Sequence, residues 1–412
     1  MTLEVTMAPA TSERPTTAQV YANLHGLKLH FPSLQSILSS FPTELSPHYG
    51  RLCEIVEKNI DDRIEEPDIR AKAKKINIAL LCAYWWPRSS LERLVTMSWF
   101  VFWIFVWDDE AEESSTQDLD LDSKTTLSER ALRYVAFHLG LDPPSPPPSG
   151  NIACVLPSSP PTSRRHHHQS EDSSDPDSLF LSSSSSKEPP PPTKYSVLFK
   201  PAAEGFKQGC TLTERTRLYS EIQLYLHSSA LEVATYAGGN GTVPTEKEYW
   251  VYRRGTNGIG FFSCLGEFMT EITIPQYLFQ TEEMKTLWEE LAKNVVIVND
   301  VLSLPKEMKV NWPGLVAIDL TYRTSGHNLD KAINLLVEDL RQVSNKMEAA
   351  GARLREMVAQ DPDPMVRKHV EKYLHSVYTI MTGHYEWTLG TERYGLAKKG
   401  WLKSDKSVAI PL

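Results

Sequence analysis

The sequence predicts an all-α protein with one large helical domain. Apolar residues recur every three to four positions in long segments, among them 215–236, 283–303 and 330–358. Alternating apolar and polar runs joined by tight turns, which would indicate strands, are nearly absent. The pattern therefore favours a bundle of about ten or more helices with no extended sheet.

The helical patterns are interrupted by a segment of different composition. The chain of 412 residues holds 28 prolines, and thirteen of them lie in residues 141–194 together with fourteen serines. Such a segment cannot bury enough apolar surface to offset its ordering entropy, so we expect it to be disordered. The predicted organisation is a domain formed by 23–140 and 195–400, a disordered tail at 1–22, a C-terminal tail at 401–412, and an insertion whose deletion leaves activity intact.

Composition excludes several functions. The net charge is −9, which argues against a nucleic-acid binder, since such proteins present a basic face. The longest apolar run, 97–107, has 11 residues and is too short for a membrane span, which needs about 20. Isolated cysteines and the absence of an apolar leader favour a cytoplasmic protein. Whether it is a monomer or a homodimer stays open.

The apolar segment 100–107 leads directly into a cluster of acids. Asp108, Asp109 and Glu112 follow it, and on a helix Asp108 and Glu112 share a face. Carboxylates at a helix C-terminus are unfavourable with the helix dipole, and Mg²⁺ prefers oxygen ligands, so the cluster is a candidate metal site. The similar acidic segment 61–65 lies in a polar stretch without an apolar wall, and we expect it to be solvated surface.

A second polar set follows the apolar turn 295–298. Asn299, Ser303 and Glu307 are spaced four residues apart, so they line one side of a helix and offer hard oxygen atoms to Mg²⁺. Lys306 can act as a point charge for phosphate. Pro305 interrupts the pattern, and we expect the helix to kink or end near it.

These two motifs together resemble those of class I terpene synthases, especially the fungal single-domain sesquiterpene cyclases. The resemblance spans roughly residues 84–395 and implies an α-helical barrel in which the motifs face each other and bind three Mg²⁺ ions with the substrate diphosphate. It further implies an arginine that senses diphosphate, for which Arg253 and Arg254 both qualify. The remaining matches to the family are the helix-break residues Asn257 and Gly258 and the terminal pair Arg393 and Tyr394.

The resemblance implies that a prenyl diphosphate is ionised and its carbocation cyclised in a dry aromatic cavity. Farnesyl diphosphate is the expected substrate; geranyl or geranylgeranyl diphosphate is the near alternative, and a non-catalytic helical scaffold is a second. Chain elongation would need a second Asp-rich motif in place of 299–307. The candidates for the cavity wall are Phe105, Trp387, Trp85 or Trp86, and Phe261 or Phe262.

Overall fold

The computed structural model describes residues 15–115, 121–141, 187–238, 243–310 and 317–412, and these are mostly helical, which confirms the all-α prediction. Its elements are α1 Thr17–Leu24, β1 Lys28–Phe31, α2 Tyr49–Arg63, α3 Pro67–Ile76, α4 Ile78–Trp85, α5 Leu91–Ser115, α6 Leu121–Leu139, α7 Phe199–Gly209, α8 Leu212–Gly238, α9 Glu246–Thr256, α10 Ile259–Cys264, α11 Gly266–Thr270, α12 Glu282–Val310, α13 Ala317–Thr324, α14 Leu329–Val358, α15 Pro364–Gly390 and β2 Val408–Pro411. Short 3-10 helices lie at Lys194–Leu198 and Gln276–Gln280.

Helix boundaries follow local chemistry. The Asn328 side chain accepts a hydrogen bond from the backbone amide of Lys331 at 2.9 Å and so caps α14. Asp363 caps α15 in the same way, and Pro364 at the first helical position has no amide hydrogen to leave unpaired. Within the described ranges no helix is long and apolar enough to cross a membrane.

The long helix α12 lies at the centre of the fold. It packs against α13, α14, α15 and α10, and its Val295–Val298 turn is buried. Pro305 does not end this helix, because α12 continues to Val310; a kink at Pro305 stays a prediction. The proline removes one backbone hydrogen bond, and the residues just before it, Val301, Leu302 and Leu304, are buried. Consequently Asn299, Ser303 and Glu307 stay on one helix.

The two predicted tails have to be corrected. Residues 17–22 belong to α1, whose Val20 and Tyr21 are buried, and residues 408–411 form β2, which pairs antiparallel with β1. Leu29 and Ile410, partners in this pairing, are fully buried. The sequence does not predict these contacts. The first segment is rich in proline and threonine and the second is short, and the apolar residues that both pack against lie in distant parts of the chain.

The proline- and serine-rich insertion lies largely outside the described residues, which resume at Lys187. Its last residues are packed on the domain: Glu188 forms an ion pair with Lys200 at 2.5 Å, and Arg130 donates to the Pro192 carbonyl at 3.3 Å. The contacts show that 187–194 belongs with the helical domain, so the predicted insertion is too long at its C-terminal side.

We expect residues 142–186 to be dispensable. Replacing them by a glycine/serine linker of about ten residues should leave the thermal midpoint and the product yield unchanged, because none of the described contacts is removed. Extending the deletion to residue 194 should lower the midpoint, since it removes the Glu188 and Pro192 contacts. Differential scanning fluorimetry and product analysis measure both. Loss of turnover in the well-folded shorter deletion would contradict the prediction.

Candidate active site

A cavity of about 250 Å³ opens between α5, α8, α9, α10, α12 and α15. Most of the residues that the sequence singled out line it, although they come from segments far apart in the chain. They are Phe105, Asp108, Arg253, Asn257, Gly258, Phe261, Phe262, Asn299, Ser303, Lys306, Glu307, Trp387, Arg393 and Tyr394, with Trp85 beside them. The lining thus combines a set of charged and amide groups with a set of aromatic rings.

Arg253 is held by a buried ion pair. Its Nη2 donates to Asp300 Oδ1 at 2.7 Å and to Asn299 Oδ1 at 3.3 Å, and its Nη1 donates to the Thr256 hydroxyl at 3.3 Å. The Asp300 carboxylate, only 2% exposed, also accepts from the Tyr249 hydroxyl and, at 2.8 Å, from the Ala317 amide. This carboxylate therefore fixes the direction of the guanidinium against the second motif.

Arg254, the next residue on the same helix, points away from the cavity. It forms an ion pair with Glu289 at 2.6 Å, its side chain is 58% exposed, and it does not line the cavity. The sequence left both arginines as candidates for the diphosphate sensor. The geometry favours Arg253, because adjacent residues on a helix point about 100° apart and only Arg253 lines the cavity.

Asn257 and Gly258 make the break between α9 and α10. The Asn257 amide donates to the carbonyls of Arg253 and Arg254 at 2.6 and 2.8 Å, and its oxygen accepts from the Ile259 amide at 2.8 Å. Gly258 has φ +70°, and a Cβ there would come within 2.5 Å of the Phe261 ring. The break is thus capped on both sides, and only glycine fits its left-handed position.

Asp108 of the first motif lines the cavity from α5, where it accepts a hydrogen bond from the Tyr225 hydroxyl of α8. The side chains of Asp109 and Glu112 lie outside the part of the chain whose side chains are described, so their roles stay predictions. Asp61, in the similar acidic segment 61–65, pairs with Lys74 at 2.7 Å on the surface, as expected for a solvated segment.

The second motif faces the cavity from α12. Asn299 Nδ2 donates to the Tyr394 hydroxyl at 2.7 Å, so the motif contacts the Arg-Tyr pair directly. Lys306 Nζ lies 3.4 Å from Glu307 Oε1. The Arg393 guanidinium lies 5.0 Å from the centre of the Phe105 ring, within the range of a cation–π contact. Arg253, Lys306 and Arg393 thus all line the cavity that the motif faces.

The donor set fits magnesium held jointly with a phosphate ligand. Among the described residues no group of three or more His, Cys, Asp or Glu side chains has the geometry of a preformed metal site. Mg²⁺ does not need one, because it is commonly bound by one or two carboxylates together with water and substrate phosphates. Asp108 on one helix and Asn299, Ser303 and Glu307 on another offer that arrangement.

Several residues that line the cavity are not predicted from the sequence. Glu232 also lines the cavity, and its burial, together with the negative charges of Asp108, Asp300 and Glu307, raises its pKa to about 7 against the opposing effect of Arg253. A signal existed, because Tyr225, Ser229 and Glu232 are spaced four and three residues apart. The buried role of Asp300 had no comparable signal, since its partners come from α9 and α13.

Aromatic rings form much of the apolar wall, together with aliphatic side chains such as Leu81, Ile104 and Val295. Phe105 lies 6.2 Å from Trp387, and Trp85 lies 4.9 Å from Phe262, measured between ring centres. Trp86 does not line the cavity but packs behind Trp85 at 5.6 Å. Of the two alternatives at this position, the geometry thus favours Trp85, whereas Phe261 and Phe262 both line the cavity.

His384 lies among these rings, 5.6 Å from Trp387 and 6.0 Å from Trp85. The residue is 4% exposed, and neither ring nitrogen has a hydrogen-bond partner among the described residues. Burial lowers its pKa to about 3. The imidazole is therefore neutral in the folded protein at physiological pH and adds no positive charge to the aromatic wall.

We expect His384→Phe to reduce the acid sensitivity of the fold. The unfolded chain takes up a proton on this histidine near pH 6.5, whereas the folded chain does so only near pH 3. The histidine therefore costs stability as the pH falls through that window, by up to about 1.4 kcal/mol per pH unit, and phenylalanine removes the cost. Urea unfolding at several pH values from 7 to 4.5 measures it; equal slopes for both proteins would contradict it.

Comparison with known proteins agrees with this description of the cavity. Residues 177–346 match the family described as terpene synthase family 2, C-terminal metal binding. The chain is 26% identical to sesquiterpene cyclase hepA of Aspergillus oryzae over 92% of each chain. Terpene cyclase braA of Annulohypoxylon truncatum is 23% identical over 90% of this chain and 86% of its own.

The fold also has solved counterparts. Germacradien-4-ol synthase from Streptomyces citricolor superposes with a TM-score of 0.62 at 15% identity, covering 85% of this chain and 97% of its own. The fold, the cavity and the relatives together support a class I terpene synthase. The family match implies that it uses a divalent metal, typically Mg²⁺.

Proposed function

We propose that the protein is a magnesium-dependent sesquiterpene synthase that ionises farnesyl diphosphate, cyclises the carbocation and releases diphosphate. One observation carries this: the two oxygen-donor sets, with Asp108 on α5 and Asn299 on α12, line one cavity whose apolar wall is aromatic and aliphatic. The relatives that match most of the chain, named as a sesquiterpene cyclase and a terpene cyclase, support the fifteen-carbon substrate over the geranyl and geranylgeranyl alternatives and over a non-catalytic scaffold.

The first step is departure of the diphosphate. Bound magnesium supplies Lewis-acid stabilisation of the leaving group. Arg253, Lys306 and Arg393 bring positive charge to the cavity where negative charge develops, and the Arg253 Nε has no hydrogen-bond partner among the described residues. The Tyr394 hydroxyl, held by Asn299 at 2.7 Å, is placed to donate to the same group.

The second step is control of the carbocation. Phe105, Phe262 and Trp387 present ring faces or edges to the cavity, and each face stabilises positive charge by about 0.5–2 kcal/mol when desolvated. The neutral His384 does not repel the cation. A wall of this kind excludes water. The shape of the cavity then determines the conformation in which the prenyl chain is held.

The decisive test is incubation of the purified protein with Mg²⁺ and, separately, with geranyl, farnesyl and geranylgeranyl diphosphate. We expect cyclic fifteen-carbon volatiles and release of diphosphate with the farnesyl substrate, and no release in EDTA. Failure to release diphosphate from any of the three would overturn the proposal. Binding of three magnesium ions, a cytoplasmic location, and a monomeric or homodimeric state stay predictions.

A further inference from the structure

A carboxylate from neither metal motif faces the same cavity. Glu232 lies on α8, and it lines the cavity together with Asp108 of α5 and Glu307 of α12. Tyr225 and Ser229, which line the cavity too, place this face of α8 toward it. The cavity therefore receives carboxylates from three helices, one more than the two motifs supply.

The charges that act on Glu232 are mostly negative. Burial is the largest cause of the raised pKa of Glu232; the Arg253 guanidinium lowers that pKa, and the carboxylates of Asp108, Asp300 and Glu307 each raise it. Within the described part of the chain, Glu232 forms no ion pair with a lysine or arginine, and Arg253 is already paired with Asp300 at 2.7 Å. Without a cation, an ionised Glu232 therefore costs stability.

A desolvated carboxylate among other carboxylates is neutralised either by a proton or by a bound cation. We propose that Glu232 binds the magnesium of the diphosphate complex, directly or through a coordinated water, as a third helix's contribution to the metal site. This inference rests on the proposed function, since it requires that the cavity hold magnesium and diphosphate.

The alternative is that Glu232 only orients Arg253. The two roles predict opposite results in the metal-free protein. If Glu232 serves magnesium, neutralising it removes repulsion from three carboxylates and stabilises the metal-free fold. If it serves Arg253, the same change removes an attraction and destabilises that fold.

The experiment compares the full chain and its Glu232→Gln variant at pH 8, where the wild-type carboxylate is charged. Thermal midpoints are measured in EDTA, in Mg²⁺ alone, and in Mg²⁺ with inorganic diphosphate. We expect the variant to have the higher midpoint in EDTA, a smaller rise with Mg²⁺ and diphosphate, and about tenfold weaker binding of magnesium diphosphate by calorimetry.

Glu221→Gln is the matched control. Glu221 lies three turns earlier on α8, is also desolvated, does not line the cavity, and is acted on by Arg254 and Arg217 rather than by carboxylates. Its variant should show the full rise with Mg²⁺ and diphosphate. If the thermal midpoint of Glu221→Gln rises as little as that of Glu232→Gln, the proposal is overturned, because loss of a carboxylate outside the cavity would then weaken binding as well.

The remaining outcomes separate the two proposals. If the thermal midpoint of Glu232→Gln rises with Mg²⁺ and diphosphate as much as that of the wild type, the proposed role of Glu232 is wrong and the proposed function is unaffected. A Glu232→Gln variant that is less stable in EDTA, or does not fold, overturns it too, because the proposal requires stabilisation there. A wild-type protein that Mg²⁺ and diphosphate do not stabilise would instead contradict the metal site of the proposed function, and the Glu232 inference with it.

Discussion

Asn299→Ala is expected to lower turnover of farnesyl diphosphate by about 100- to 1,000-fold while the protein stays folded. The amide oxygen is one of the proposed magnesium ligands, and its Nδ2 holds the Tyr394 hydroxyl at 2.7 Å, so the change removes a ligand and loosens a donor to the leaving group. The lost hydrogen bonds should cost only about 1 kcal/mol each. Product analysis by gas chromatography and diphosphate release measure the rate, and circular dichroism measures the fold.

The two acidic segments provide the control for this prediction. Asp108→Ala should lose turnover as Asn299→Ala does, because Asp108 lines the cavity. Asp61→Ala should remain active, since Asp61 is 45% exposed and pairs only with surface cations. An inactive but folded Asp61→Ala would show that the metal motif had been assigned to the wrong acids.

Arg253→Met is expected to destabilise the protein by about 3 kcal/mol and to abolish turnover. The change leaves the Asp300 carboxylate buried without its cation, although hydrogen bonds from Tyr249 and Ala317 remain. The turnover is lost for a separate reason, because the guanidinium no longer faces the diphosphate. Urea unfolding measures the first effect and diphosphate release the second.

A double variant separates the two effects. Arg253→Met combined with Asp300→Asn should regain part of the stability, since no unpaired charge stays buried, but it should regain no turnover. Arg254→Met is the matched surface control: its ion pair with Glu289 is exposed, so stability should change by less than about 1 kcal/mol. If Arg253→Met and Arg254→Met lost turnover to the same extent, the assignment of Arg253 as the diphosphate sensor would be contradicted.

The sequence predicts the helical class and much of the cavity lining because both depend on local patterns. The spacing of Asn299, Ser303 and Glu307 places them on one face only if a single helix carries all three. The structure shows that α12 does so despite Pro305. The sequence does not distinguish Arg253 from Arg254, because both lie on α9 and the choice depends on which of them reaches the cavity. One buried ion pair with Asp300 makes the distinction.

Residues outside the motifs were harder to predict. Glu232 and His384 reach the cavity only because α8 and α15 pack around it, and neither neighbours a motif in sequence. The boundary of the insertion was misjudged for a similar reason. Proline content indicates an unstructured segment, yet Glu188 and Pro192 find partners on α7 and α6 that composition alone does not reveal.

The short pairing of β1 with β2 also bears on how the chain reaches its folded state. Lys28 pairs with Pro411, so about 380 residues separate the two partners. At about 5–20 residues per second, a ribosome needs roughly 20 to 75 s to synthesise that interval. During this time the apolar side chains of Leu29 and Phe31 lack the strand that later covers them. Closure of this pair can therefore only follow synthesis of nearly all the described residues.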